Sequence, residues 1–497
     1  MLKNLIETAA LIDPERAVFE RADRAVPIEE LVLRARRVAV HLRADGIRHC
    51  VYLGVNGPSV PLALFASVFA GIPFVPMNYR LSAEQLDRLR RRVDAPLIVS
   101  DDASFGSDAR HWTLDDLWRL TDDAVSGEDD LPEVEGDAIA TVLFTSGTTS
   151  EPKMVPLRHN NLGAYLLNTI ELMGADPGEA ALITVPPYHV AAIGATLTNT
   201  LGGRRVVYLA NFDPADWLAT VQQQHVTTAM LVPTMLARIA EHLDSAPAAA
   251  PTLRHIAYGG ARMAPAVLAR AVRCFPHVDF ANAYGLTETA STIAILSPAD
   301  HRIALRPDAT PEQLARLGSA GRAIPGVEFE IRDEDDTVLP PRETGELWVR
   351  GEQVSGEYLG RGSVLDGAGW FRTQDGAWLD EDGYLYIVGR VDDTIIRGAE
   401  NIAPTEIEDV LAEHPDIAEA AVVGKPDEEW GERIVAVVVP RTELSADSVR
   451  DWVRGRLRAS RTPDEVVFAE SLPYGPTGKL LRRELAARVV AQGTEKD

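Results

Sequence analysis

Cysteine is almost missing from the chain: only Cys50 and Cys274 occur, with no C-x-x-C spacing and no His/Cys cluster. That excludes a disulfide framework and a structural zinc site, and reads most simply as two buried thiols. Positive charge is short as well. With 49 Lys and Arg against 74 Asp and Glu, the net charge of −25 argues against a nucleic-acid surface and against binding to anionic lipid. An anionic substrate must therefore be held by local cations. Also lacking is a long apolar run free of helix breakers. Ser59 to Asn78 is uncharged, but Pro61, Gly71, Pro73 and Pro76 divide it into a helix of about ten residues and a short strand. Ala180 to Gly203 is interrupted by Pro186, Pro187, His189 and several glycines, so no transmembrane segment is expected. Met1 to Phe19 carries Glu7, Asp13 and Glu15 and lacks a charged-then-apolar signal pattern, which makes the expected location cytoplasmic.

What remains is an ordinary soluble composition, 46% hydrophobic and 25% charged, over 497 residues. That length exceeds one compact core and implies two or more domains. Helical and strand periods alternate near the amino terminus: Pro27–Ala44 helix, Cys50–Val55 strand, Leu62–Phe69 helix, Pro73–Met77 strand, Ala83–Val93 helix, Pro96–Ser100 strand. Such alternation predicts α/β architecture, with parallel strands joined by crossover helices. The acidic stretch Thr121–Asp137 reads as a solvated loop. The alternation resumes with helices over Asn160–Met173, Pro214–Gln224 and Met235–Leu243, and strands over Ala181–Thr184, Arg205–Tyr208, Ala229–Val232, His255–Tyr258 and Val278–Ala281. From Gly318 to Ile387 short strands with frequent Gly and Pro predict a β-rich subdomain, about 318–391. Beyond residue 393 the pattern predicts a small α+β carboxy-terminal domain.

The apolar run Ala138–Phe144 ends abruptly in Thr145-Ser146-Gly147-Thr148-Thr149-Ser150-Glu151-Pro152-Lys153. Hydroxyls, a glycine that lets backbone N–H groups approach a ligand, and a lysine suit a polyphosphate, although such a loop alone is equally a solvated turn. Four later stretches favour the nucleotide. Tyr258-Gly259-Gly260-Ala261 follows a strand and lets a flat base lie against backbone. Tyr284-Gly285-Leu286-Thr287-Glu288-Thr289 supplies an aromatic face, a hydroxyl for phosphate and a carboxylate for a hard cation. Asp375 offers two acceptor oxygens to a ribose diol, and Arg390 is a cation within reach of ribose or phosphate.

Taken in order with Pro473 to Lys479, these motifs resemble the adenylate-forming superfamily of acyl-CoA and aryl-CoA synthetases, nonribosomal adenylation domains and firefly luciferase, over essentially the whole chain. The resemblance implies an amino-terminal adenylation domain over 1–391 and a mobile carboxy-terminal domain over 393–497, hinged at Asp392. It implies that Thr145, Ser146, Gly147, Thr148, Thr149 and Lys153 hold the β- and γ-phosphates of ATP. Gly259, Gly260, Ala261 and Gly285 would border the base, Tyr284 stack on it, Thr287 contact the α-phosphate, Glu288 bind Mg²⁺, and Asp375 and Arg390 hold the ribose. Lys479 matches the catalytic lysine. Arg397, Gly398, Ala399 and Trp430 fall where the thioester-forming face meets pantetheine and CoA; otherwise Trp430 is an exposed aromatic capping the small domain. His189 falls beside the acyl carboxylate, its alternative being a satisfied half-buried histidine.

The implied activity is activation of a carboxylic acid by ATP through an acyl-adenylate, then thioesterification with CoA. An acyl or peptidyl carrier protein is the alternative acceptor, and a non-catalytic nucleotide or acyl sensor the remote third reading. Small residues at Ala191, Ala192, Gly194, Ala281, Ala283 and Ser291 predict a roomy apolar pocket for a medium-chain, aromatic or polycyclic acid. Asn282 and Ala283 stand where malonyl-activating relatives carry arginine, which disfavours a short dicarboxylate. A monomer or homodimer is expected. The pattern is broken at Ser150, Met154, Gln374 and Ala399, each where the superfamily usually has glycine; Ser150 and Met154 would restrict the hydroxyl loop.

Overall fold

The computed structural model describes the chain except residues 103, 107–108, 129, 146–151, 398–399, 428–429, 476–479 and 495–497, with backbone alone at 401 and 492–494. The expected α/β class is observed, arranged as two large sheets. The first runs Arg110–Trp112, Pro96–Val99, His49–Tyr52, Phe74–Pro76, Ile139–Thr145, Lys153–Arg158, parallel except for the final antiparallel pair. The second runs Arg205–Tyr208, Ala180–Ile183, Thr228–Leu231, His255–Gly259, Asp279–Leu286, Ser291–Leu296, Arg322–Ala323. Its first five strands are parallel and its last two antiparallel. A four-stranded antiparallel sheet over Val327–Arg390 follows, then a carboxy-terminal sheet carrying the helices Pro404–Ala412, Ala446–Arg454 and Arg482–Thr494.

The uncharged stretch after Ser59 is a helix, Ser59–Ala70, with every residue buried and its carboxy end closed by Gly71 at φ 70. A helix apolar on all sides needs cover on all sides, and a left-handed residue just past its end is the conformation glycine adopts without steric cost. Trp118 Nε1 donates to Ser59 Oγ at 3.0 Å, so even the terminal hydroxyl is used within the core. Among the described residues no helix is long and apolar enough to cross a membrane. Cys50 and Cys274 are both free and buried, as expected.

Some boundaries differ from expectation. The helix predicted over Asn160–Met173 ends at Thr169, because Ile170 is extended. The strand predicted over Val278–Ala281 continues to Leu286, where it pairs with Ser291–Leu296. The interrupted segment 180–203 contains a strand, then the helix Val190–Leu201.

His159, first residue of the helix His159–Thr169, has no exposed surface, and neither ring nitrogen has a hydrogen-bond partner among the described residues. Burial first, then repulsion from the amino terminus, lowers its pKa to about 4. The unfolded chain binds this proton near the ordinary histidine value and the folded chain only near 4, so stability rises with pH across that window and falls as acid is added. Between pH 7 and 4.5 this one group should withdraw about 2 kcal/mol. His159→Leu is expected to shrink the acid-side fall in thermal midpoint; an unchanged fall would contradict the assignment.

Candidate active site

The carboxyl ends of the parallel strands in the second sheet converge on one cleft. Segments following Ile183, Leu231 and Gly259, with the turn after Leu286, all border a cavity of about 110 Å³. Ligands of open α/β sheets bind at this edge because loops leaving adjacent strands splay apart there. Its walls are mostly apolar, including Val185, Met230, Val232 and Met235, and its polar groups include His189, Thr287 and Ser291. The volume is of the order of the roughly 150 Å³ cavity that accepts a benzene ring.

Of the residues expected around the acid, His189, Ala191 and Ser291 border this cavity, together with Ala283. Ala192 and Gly194 do not. Ala192 is buried in the helix, and a Cβ on Gly194 would lie 3.0 Å from Ser291 Oγ, so that glycine serves helix-to-strand packing. Ala281 is a strand residue paired with Ala257, and Asn282 donates its amide to Ser319 O at 3.1 Å; neither reaches the cavity. The Met230 and Met235 walls carried no sequence signal, since methionine within an apolar period reads as core.

Two of the expected base-contact glycines are required by the sheet itself. A Cβ on Gly259 would meet Ala283 O at 2.1 Å, and one on Gly285 would meet Ser291 O at 1.8 Å. Gly285 borders the cavity all the same, as does Gly260, at φ 80. Ala261 is exposed next to Arg262, which reaches the carboxy-terminal region through Asp409 at 2.5 Å.

Tyr284 and Asp375 meet, although 91 residues apart: the Tyr284 hydroxyl donates to Asp375 Oδ2 at 2.5 Å. Arg390 Nη1 donates to Asp375 Oδ1 at 3.0 Å, and the two residues face each other across antiparallel strands. Burial, then the nearby Asp375 charge, holds the Tyr284 hydroxyl well above its ordinary value, so it stays a donor. Burial works against the Arg390 charge, but Asp375 outweighs it and leaves the guanidinium more firmly protonated.

Thr145 and Lys153 are the last pair of an antiparallel hairpin, so the two ends of the hydroxyl loop are fixed side by side. Ser146, Gly147, Thr148 and Thr149 lie outside the described residues, as do Ser150, Gly398, Ala399 and Lys479. Met154 is not in the loop. It is a buried strand residue packed beside Val142, Phe144 and Leu359, so its side chain fills core.

A connection with no sequence signal ties this hairpin to Glu288. Leu359 N donates to Met154 O at 2.9 Å and Ser355 N to Glu288 O at 2.8 Å. Within this segment, Tyr358 donates to Glu288 Oε1 at 2.8 Å while its ring lies 4.6 Å beneath the Lys153 ammonium. Gln353 adds bonds to the carbonyls of Thr289 and Thr292. Among the described residues no group of three or more His, Cys, Asp or Glu could hold a metal ion. A single carboxylate such as Glu288 fits Mg²⁺, which keeps waters and takes its other oxygens from substrate phosphates.

Asp392 lies in the tight turn Val391–Asp393 between the four-stranded sheet and the strand Ile395–Arg397. Asp393 faces Arg482 at 3.4 Å, and Arg482 also pairs with Glu408 at 2.6 Å. Trp430 is 42% exposed, with the Arg397 guanidinium 5.0 Å from its ring centre. Arg397 is at the same time held by Asp464 at 2.7 Å. These two expected thioester-face residues therefore touch each other.

A family model described as AMP-binding enzyme matches residues 6–359, and one described as AMP-binding enzyme C-terminal domain matches 406–479. The chain is 33% identical over 495 residues to a feruloyl-CoA synthase of Amycolatopsis, covering 96% of this chain and 97% of that protein. It is 30% identical over 531 residues to a fatty acid–[acyl-carrier-protein] ligase of Streptomyces coeruleorubidus, covering 100% and 98%. Among solved structures it is similar to the o-succinylbenzoate CoA synthetase of Bacillus subtilis in complex with an acyl-adenylate, at TM-score 0.83 and 29% identity over 97% of each chain.

Proposed function

The chain belongs to the AMP-binding enzyme family, and from that membership we propose that it is an ATP-dependent ligase that activates an aryl carboxylic acid as its adenylate and transfers the acyl group to CoA. One observation carries this reading: an apolar cavity of about 110 Å³ opens beside Thr287, in the same turn as Glu288, while Tyr284 from the strand before it holds Asp375. The cavity thus adjoins Gly260, Gly285 and Thr287, three of the groups proposed for the nucleotide. The relatives named for feruloyl and succinylbenzoate thioesters support an aromatic acid.

Attack of a carboxylate on the α-phosphorus brings two anions together, so the protein must align them and offset charge. Asp375 and Arg390 anchor the ribose, Thr287 positions the α-phosphate, and Lys153 with the hydroxyl loop restrains the departing diphosphate. Tyr358 fixes the Glu288 carboxylate by its hydrogen bond to Oε1. Bound at Glu288, Mg²⁺ would supply charge neutralisation for the phosphates. Lys479 brings a compact ammonium to carboxylate and phosphate oxygens. For the second half-reaction, rotation about Asp392 would withdraw Lys479 and present Arg397 and Trp430 to the pantetheine thiol. Two buried free thiols accord with a cytoplasmic location.

Carrier-protein loading is the second reading, favoured by the similarity to an acyl-carrier-protein ligase. Incubation with aryl and aliphatic acids, ATP, and either CoA or phosphopantetheinylated carrier protein separates the two. The expected product is an aryl-CoA thioester. Rapid carrier loading with no CoA thioester from any acid would overturn the CoA assignment.

A further inference from the structure

Gln374 stands at φ 63, in the left-handed region that glycine enters without steric cost and glutamine does not. Its backbone N–H donates to Glu346 Oε1 at 3.0 Å, and Glu346 is itself buried and paired with Arg372 at 2.6 Å. The side chain is engaged too: Gln374 Oε1 accepts from Arg390 Nη2 at 3.0 Å. Arg390 Nη1 meanwhile donates to Thr373 O at 2.9 Å and Asp375 Oδ1 at 3.0 Å. Three consecutive residues therefore grip both terminal nitrogens of one guanidinium. Without the Gln374 oxygen, the grip falls on Nη1 alone, and the planar group is free to pivot about it.

We infer that Gln374 is a positioning residue that fixes the plane of the Arg390 guanidinium for the nucleotide's ribose. Arg390 also closes its strand two residues before Asp392, so the same contact pins the last part of the large body ahead of the proposed hinge. The twisted backbone is what aims the side chain: an extended residue between Thr373 and Asp375 would alternate to the opposite face of the strand from its neighbours. The left-handed turn brings all three acceptors to one side. This inference rests on the nucleotide reading of the site.

Gln374→Gly and Gln374→Asn separate positioning from folding. Both residues accept a left-handed backbone, Gly without a side chain and Asn one methylene too short to reach Arg390. Titration of the full chain with AMP, without added metal, is expected to show a roughly three- to tenfold weaker Kd in both variants, less than the loss of a direct bond to the ribose because Arg390 keeps its bonds to Thr373 and Asp375. Thermal midpoints should be unchanged or higher, and in turnover the change should fall on the KM for ATP rather than on kcat. An unchanged AMP Kd in Gln374→Gly overturns the inference, and so does a loss of thermal midpoint parallel to the loss of binding. If the unaltered chain takes no AMP, the nucleotide reading itself fails.

Discussion

Lys479→Ala is expected to cut acid-dependent adenylate formation about 10²–10³-fold, the usual cost of removing one preorganised group aimed at charge that develops in the transition state. Thioester formation from supplied acyl-adenylate and CoA should be largely retained, because no anion–anion approach remains to be offset once pyrophosphate has left. Both arms are read as rates, the first by pyrophosphate release and the second by thioester appearance. Equal loss in the two half-reactions would contradict the proposed division of labour between Lys479 and the thioester-face residues Arg397 and Trp430.

Asp375→Ala should damage both binding and stability. The carboxylate is only 7% exposed and receives Tyr284 on one oxygen and Arg390 on the other. Removing it leaves a buried hydroxyl and a cation without their acceptor, a change that costs about 3–5 kcal/mol for a fully buried pair. Arg390 is 37% exposed and keeps its bonds to Thr373 and Gln374, so solvent screening lowers the expectation to about 1–2 kcal/mol. On the proposed ribose role, two charge-assisted bonds to the diol are lost as well, each worth about 1.5 kcal/mol or more, so AMP affinity should fall about 100-fold. Asp375→Asn, which keeps one carbonyl acceptor and the shape, should fall between. Unaltered AMP affinity in Asp375→Ala would remove this carboxylate from the nucleotide site.

Where periodicity was clean, the fold was legible. Arg205–Tyr208 is a strand with the bounds its apolar pattern predicts, and Ile28–Ala44 is helical with arginines on its outer face. Reading failed where composition hid the period. Val190–Leu201 has no charge to mark a solvent face, so its helical repeat was masked by apolar residues and a glycine. Strand Asp279–Leu286 was cut short at Ala281, whereas pairing with Ser291–Leu296 keeps Tyr284 and Gly285 extended.

The family was legible from motif order, and the structure adds what order cannot carry. Tyr358 lies 70 residues from the carboxylate it holds, a contact with no local pattern to betray it. Gln374 was visible only as a missing glycine. Met154 looked like a fault in the loop until the hairpin register placed it in the strand.

The central claim is that one cleft joins an organic acid to the α-phosphorus of ATP. Exchange of labelled pyrophosphate into ATP tests it most directly, because the exchange requires adenylate formation to run in both directions and needs no thiol. Exchange that depends on an added aryl acid and disappears in Lys479→Ala is the predicted result. Absence of exchange with every acid offered, from a chain that still binds AMP, would contradict it.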